Sequence, residues 1–219
     1  MTPNLLKATG KKYERKFVRS NSTVCIRPNP NGDWPRIDST AYIDPKAQVI
    51  GNVHIGAHVY IGPNVVVRAD ETDSRGDVMP IEIASECNIQ DGVIIHALGG
   101  TQVTIGQRTS LAHGCIIHGP CNLGQGCFIG FRAVIYNATL GDGVFVGTSA
   151  VVQGIDLATN ALVPASAAVL SREDVTRLVS ATSRADCEFM ERIATANIAL
   201  AQGYIRLGEQ VLEETPNGN

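Results

Sequence analysis

The chain has 219 residues, a formal net charge of −3, 44% hydrophobic residues and only 5% aromatic ones. That length holds one large domain or one domain with an appendage, with a core of aliphatic side chains rather than rings. The slightly acidic balance gives no electrostatic footprint for nucleic acid, and no apolar run is long enough to span a membrane. The start, MTPNLLKATGKKYERKF, lacks the apolar segment of a secretory leader. Six cysteines without a CxxC pair read as free thiols in a reducing compartment, so a cytoplasmic location is expected.

In chain order, residues 1–39 are rich in Asn, Pro, Arg and Ser and read as an N-terminal arm. A repeat of six follows. From Ile43 the frame runs through Val49, Ile55, Ile61 and Val67, resumes at Ile83, Ile89 and Ile95, and again from Ile105 through Leu111, Ile117, Leu123, Ile129 and Ile135. It continues at Leu140, Val146 and Val152. Glycine often follows the aliphatic residue. A helix needs spacings of three and four, and an amphipathic strand a period of two. A period of six fits an all-β solenoid in which each hexapeptide is a short strand plus a turn, three to a triangular coil. The repeat resembles the hexapeptide-repeat superfamily of left-handed parallel β-helices, and the left hand is taken from that resemblance.

Two segments interrupt the frame, ETDSRGDVMP after Asp70 and ALGGTQ after His96. Both are expected to protrude from a corner. The β-helix is assigned to 40–165, where the pattern fades through Pro164. Ser171 to Asp174 reads as a capping box. Phe189, Ile193, Ala196, Leu200, Tyr204, Leu207 and Val211 then form a helical stripe. Residues 166–214 are therefore expected as a C-terminal helical segment packed along the solenoid, and 215–219 as a frayed tail.

The frame organises the histidines. Ile95 and Ile117 begin units on the same face, one coil apart, so His96 and His118 occupy equivalent outward positions on rungs about 4.8 Å apart. Two imidazoles that close can share a metal. His113 lies at the preceding corner, and five extended residues span roughly 16 Å, too far for the same ion. In a closed threefold ring, His113 would instead complete the site of a neighbour. Cys115, Cys121 and Cys127 fall on three different sides of the prism in the small-residue slot, which makes them core residues. His54 and His58 are assigned no role.

Four segments carry a closer resemblance: VRADE (67–71), NIQDGVIIHAL (88–98), SLAHGCIIHGP (110–120) and FIGFRAV (128–134). Together they resemble the gamma-class carbonic anhydrases over about residues 35–165, and more loosely in the C-terminal helix. The resemblance implies a homotrimer that hydrates CO2 reversibly to bicarbonate. Zn2+, with Fe2+ or Co2+ as alternatives, would be held by His96, His113 and His118 at the subunit interface. It further implies that Gln90 orients the metal-bound hydroxide, that Arg68 and Asp91 form an ion pair across the interface, and that Asp70 belongs to the same network. Glu71 is implied near the metal and Asn197 near the bicarbonate. The chain departs from the best-known members where Gly99 and Gly100 follow His96-Ala97-Leu98, in place of a longer loop with a proton-shuttling glutamate. That departure resembles the branch without the acidic loop and leaves Glu71, Asp73 and Asp77 as proton-relay candidates. The competing readings are a hexapeptide-repeat acyl-CoA transferase, which needs one histidine base and no metal, and a metal-binding scaffold subunit of little activity.

Overall fold

The computed structural model describes residues 25–214, so most of the expected arm and the expected tail lie outside the described residues. The hexapeptide frame becomes a parallel solenoid with three faces. The first face stacks Arg36–Ile37, Val53–Ile55, Ile81–Ile83 and Val103–Ile105, then the distal halves of Ile116–Leu123 and Val134–Leu140, and Asp156–Leu157. The second stacks Tyr42–Ile43, Tyr60–Ile61, Asn88–Ile89, Ser110–Leu111, Phe128–Ile129, Phe145–Val146 and Ala161–Val163. The third stacks Cys25–Arg27, Gln48–Gly51, Val66–Ala69 and Ile94–His96, then the proximal halves of the two long strands, Val151–Gln153 and Ala168–Val169. This is the left-handed parallel β-helix of the hexapeptide-repeat superfamily.

Every aliphatic residue of the frame is buried in one continuous core running the length of the prism. The turns between strands repeatedly place a residue at positive φ, such as Asn64, Arg108, Arg132 and Ser149, or a glycine such as Gly92 and Gly114. A single left-handed residue turns each corner within a six-residue repeat. Where glycine follows the core residue, coils approach closely: a Cβ on Gly106 would stand 2.5 Å from the carbonyl carbon of Gly124. Cys87, Cys115, Cys121 and Cys127 are buried in the core.

The rungs continue past the point where the sequence pattern fades. Leu157, Val163 and Val169 are all buried in the same core. The frame takes a five-residue step from Val152 to Leu157, as it does from Ile135 to Leu140, which obscures a strict count of six. Helix α1 (Arg172–Leu178) then begins at Ser171, whose hydroxyl accepts from the Asp174 backbone N–H, with the Asp174 carboxylate reciprocating.

Helix α2 (Arg184–Glu214) runs along the second face. Its contact stripe is shifted from the one expected. Met190, Ala194 and Ala201 are buried, whereas Ala196, Leu200 and Leu207 point outward, Leu207 being 53% exposed. Phe189, Ile193 and Tyr204 do touch the sheet: Phe189 and Ile193 pack on Phe128 and Ala112, and Tyr204 stacks on Tyr42 with centroids 4.6 Å apart. The Val211 side chain lies outside the described residues. Small residues at 194, 201 and 208 let the helix backbone settle close to a flat sheet, so its bulkier side chains flank the contact line. A pattern weighted by apolar bulk selects those flanks. Arg108 clamps the helix from the solenoid through Glu86 at 2.6 Å and Glu191 at 2.5 Å.

Ile129→Ala is expected to destabilise the protein by about 2–5 kcal/mol through the cavity it leaves. Leu207→Ala should change stability by no more than about 0.5 kcal/mol. Urea denaturation of the two variants at equal protein concentration checks the contrast.

Candidate functional site

Register on the third face sets His96 directly opposite His118, with Arg68 on the other side of His96 and Tyr136 beyond His118. His96 Nδ1 and His118 Nε2 lie 3.2 Å apart. Two nitrogens each about 2.0–2.1 Å from one ion, in a near-tetrahedral arrangement, are separated by about this distance. His118 Nδ1 is 3.1 Å from the Gly119 carbonyl, an acceptor that places the proton on Nδ1 and frees Nε2 as a ligand.

His96 points outward yet is only 8% exposed, because the two frame-breaking loops close over it. The loops interlock. Gly99 N–H donates to Glu71 Oε2 at 3.2 Å, and a Cβ on Gly99 would stand 2.4 Å from the Thr72 carbonyl oxygen. The glycine that replaces an acidic loop here is therefore required by its neighbour. His96 Nε2 is buried without a hydrogen-bond partner, 3.4 Å from Glu71 Oε1 and 3.7 Å from Asp70 Oδ1, which is itself unpartnered. Burial, followed by the Arg68 cation, pulls the His96 pKa below its ordinary value, with Glu71 opposing. The neutral imidazole so favoured is the form that binds metal. Arg68 donates to Asp70 Oδ2 at 3.2 Å.

The remaining candidates gather at the corner between the second and third faces. Gln90 Nε2 donates to Asn88 Oδ1 at 2.6 Å and to Asn197 Oδ1 at 2.8 Å, and Asn197 donates to the Ile193 carbonyl. The C-terminal helix thus holds Gln90 through Asn197. Asp91 Oδ2 lies 3.6 Å from His113 Nδ1, and the His113 side chain is 51% exposed. Asn88 was not among the sequence candidates. Its outward position two residues before Gln90 is readable from strand alternation, but its burial comes from α2, which the local pattern does not reveal.

One chain therefore carries two separate clusters: Arg68, Asp70, Glu71, His96 and His118 on the third face, and Gln90, Asp91, His113 and Asn197 at the corner. Arg68 pairs with Asp70 and Asp91 faces His113, so Arg68 and Asp91 have different partners within a chain. Among the described residues no three His, Cys, Asp or Glu side chains of one chain converge as a metal-binding group. The donor chemistry fits a divalent ion nonetheless: two ring nitrogens at ligand spacing, one neighbouring nitrogen orphaned in a buried position, and a third imidazole free at the surface. Beside the histidine column runs a partly exposed apolar one, Val66, Ile94, Ile116, Val134 and Val151, in register on five rungs with Ile94 42% exposed.

Residues 35–69 match the family described as bacterial transferase hexapeptide (six repeats). The carbonic anhydrase of Methanosarcina thermophila is 33% identical over 207 aligned residues, covering 85% of this chain and 81% of that protein. This chain belongs to the gamma-class carbonic anhydrase family. A carboxysome assembly protein, CcmM of Nostoc sp., is 34% identical over 192 residues, covering 80% of this chain but only 33% of that longer protein. Among solved structures, a hexapeptide transferase family protein from Anaplasma phagocytophilum superposes with a TM-score of 0.69 at 26% identity, covering 83% of this chain and 98% of that one. The β-helix is thus shared with proteins named as transferases, so the fold alone does not decide the chemistry. No helix among the described residues is long and apolar enough to cross a membrane.

Asn197→Ala and Asn88→Ala each remove one acceptor from the Gln90 amide, and each should cost about 0.5–1.5 kcal/mol. Asn122→Ala, on an exposed rung, should stay within about 0.5 kcal/mol. Thermal unfolding of the three variants checks this.

Proposed function

We propose that the protein is a metal-dependent carbonic anhydrase that interconverts CO2 and bicarbonate as a homotrimer, with one ion at each subunit interface. The observation that carries the reading is the 3.2 Å separation of the His96 and His118 ring nitrogens while His113 is turned out at another corner. The partly exposed apolar column on the third face, in which Ile94 is the most exposed, supports a partner chain, since contiguous accessible apolar surface marks interaction sites. His96 and His118 of one chain and His113 of the next form the ligand set. Zn2+ is the expected ion, because three neutral imidazoles with a fourth position open suit it, and Fe2+ and Co2+ accept the same nitrogen donors.

A divalent ion held there supplies Lewis acidity and makes a hydroxide nucleophile available near neutral pH. The side chains do the rest. Gln90, locked by Asn88 and Asn197, keeps both amide hydrogens engaged and presents its carbonyl oxygen as a fixed acceptor that orients the nucleophile. The Arg68–Asp70 pair bounds the pocket beside His96, and Asp91 flanks His113. Asn197 holds its place beside the bicarbonate by the helix bond to Ile193. Glu71, 41% exposed at its side chain and 3.4 Å from His96 Nε2, spans from the buried pocket to solvent and carries the released proton outward. Asp73 is tied into its own loop by Arg75 and the Asp77 backbone N–H, which leaves Glu71 as the better-placed relay.

Protein purified without chelator is expected to run as a trimer by light scattering, to hold about one metal per chain by elemental analysis, and to hydrate CO2 in stopped flow. His96→Ala and His113→Ala should each lose metal and activity. Co-expressed, the two variants should recover metal at about a quarter of the wild-type level, because one interface in four then joins two intact half-sites. No recovery, or a metal-loaded monomer, would overturn the shared site. A metal-loaded trimer with no hydration would favour the scaffold reading, and tight coenzyme A binding to metal-free protein the transferase. Glu71→Gln should slow hydration at low buffer concentration, with partial rescue by added imidazole.

A further inference from the structure

The turns closing successive units of the second face stack directly on one another. Gly114 N–H donates to the Asp91 carbonyl at 2.9 Å, Arg132 N–H to the His113 carbonyl at 3.0 Å, and Ser149 N–H to the Phe131 carbonyl at 2.8 Å. Asp91, His113 and Phe131 therefore hold the same turn position on three consecutive rungs. His113 is flanked by a carboxylate on one side and an aromatic ring on the other.

The two contacts act differently. Phe131 lies parallel to the imidazole, with an interplanar angle of 4° and centroids 5.6 Å apart, an offset stack within the favoured range for aromatic pairs. Asp91 Oδ2, at 3.6 Å, is too far for a hydrogen bond, but it takes the Nδ1 side of the ring. Nε2 is then the nitrogen left for a ligand role, and no hydrogen bond engages it among the described residues. Both rings stand half out of the chain, Phe131 at 46% exposure. A half-exposed histidine on a turn otherwise samples several rotamers, and that freedom must be given up when it binds.

We propose that Phe131 is a positioning residue that pre-sets the His113 imidazole for the metal of the neighbouring chain. This rests on the shared-metal reading. His96 and His118 fix each other's surroundings through the pairing of their strands, whereas His113 comes from a turn on another chain and lacks that support. The flat face of Phe131 supplies it before the ion arrives.

The test uses the full chain, stripped of metal and titrated with Co2+, whose visible absorption reports both affinity and ligand geometry. Oligomeric state is measured on the same samples. Phe131→Ala is expected to weaken Co2+ binding about three- to tenfold, the range of an aromatic pair, and to alter the visible band while the protein remains trimeric. Phe131→Tyr should restore both, and Phe131→Leu, which keeps apolar bulk without a flat face, should not. His113→Ala is the control for the underlying reading. If it weakens Co2+ binding while Phe131→Ala matches wild type in affinity and spectrum, Phe131 has no positioning role. Full rescue by leucine would equally reduce Phe131 to interface filler. If His113→Ala itself binds Co2+ like wild type, the shared-metal reading falls and this inference with it.

Discussion

Parallel strands stacked in register about 4.8 Å apart force each outward residue of one coil beneath its counterpart on the next, and the features of this chain that bear on chemistry are columns of that kind. Arg68, His96, His118 and Tyr136 form one on the third face. Val66, Ile94, Ile116, Val134 and Val151 form the apolar column beside it. Asp91, His113 and Phe131 form a third along the adjoining corner. The same register fills the interior, where one aliphatic residue per unit stacks on the next without a break. Residues distant in sequence reach ligand spacing because coils repeat, so extra chain length enters only where it protrudes from a corner.

The two clusters proposed to share an ion are built to different standards. On the third face His96 and Asp70 are sheltered beneath interlocked loops, and burial lowers the His96 pKa. The corner half is open, with His113 and Asp91 each about half exposed. An ion shared between such halves, as proposed, would bind the assembled protein and not the separate chains, so its binding free energy would add to assembly by mass action. Occupancy and oligomeric state then rise and fall together with protein concentration. A histidine pair at ligand spacing on one chain and an exposed imidazole stacked on Phe131 on the next would suit that coupling.

Much of the fold is legible in the sequence because the repeat is strict where three strands must close each coil around one axis. Residues such as Ile61, Ile89 and Leu111 have no alternative to the core. The adjacency of His96 and His118 follows from counting units and subtracting one loop. The frame is lost where its step shortens, as between Val152 and Leu157, since a five-residue unit looks like noise until its neighbours are placed. The helix face was harder to read. Ala194 and Ala201 make the closest contact because they are small, whereas Leu200 and Leu207 carry the hydrophobic signal and face outward. Asn88 stayed hidden for a related reason: an outward polar residue on a strand reads as solvated, and only the docked helix turns it into a buried partner of Gln90.

One of the two supports of the Gln90 amide, Asn197, lies 107 residues further along the chain, on α2. Translation runs in one direction. A nascent chain can complete its coils, bury its aliphatic axis and bring His96 beside His118 while the residue that steadies Gln90 is still unmade. Gln90 therefore gains its second support only once α2 has been made. Without α2, Gln90 would be held by Asn88 alone.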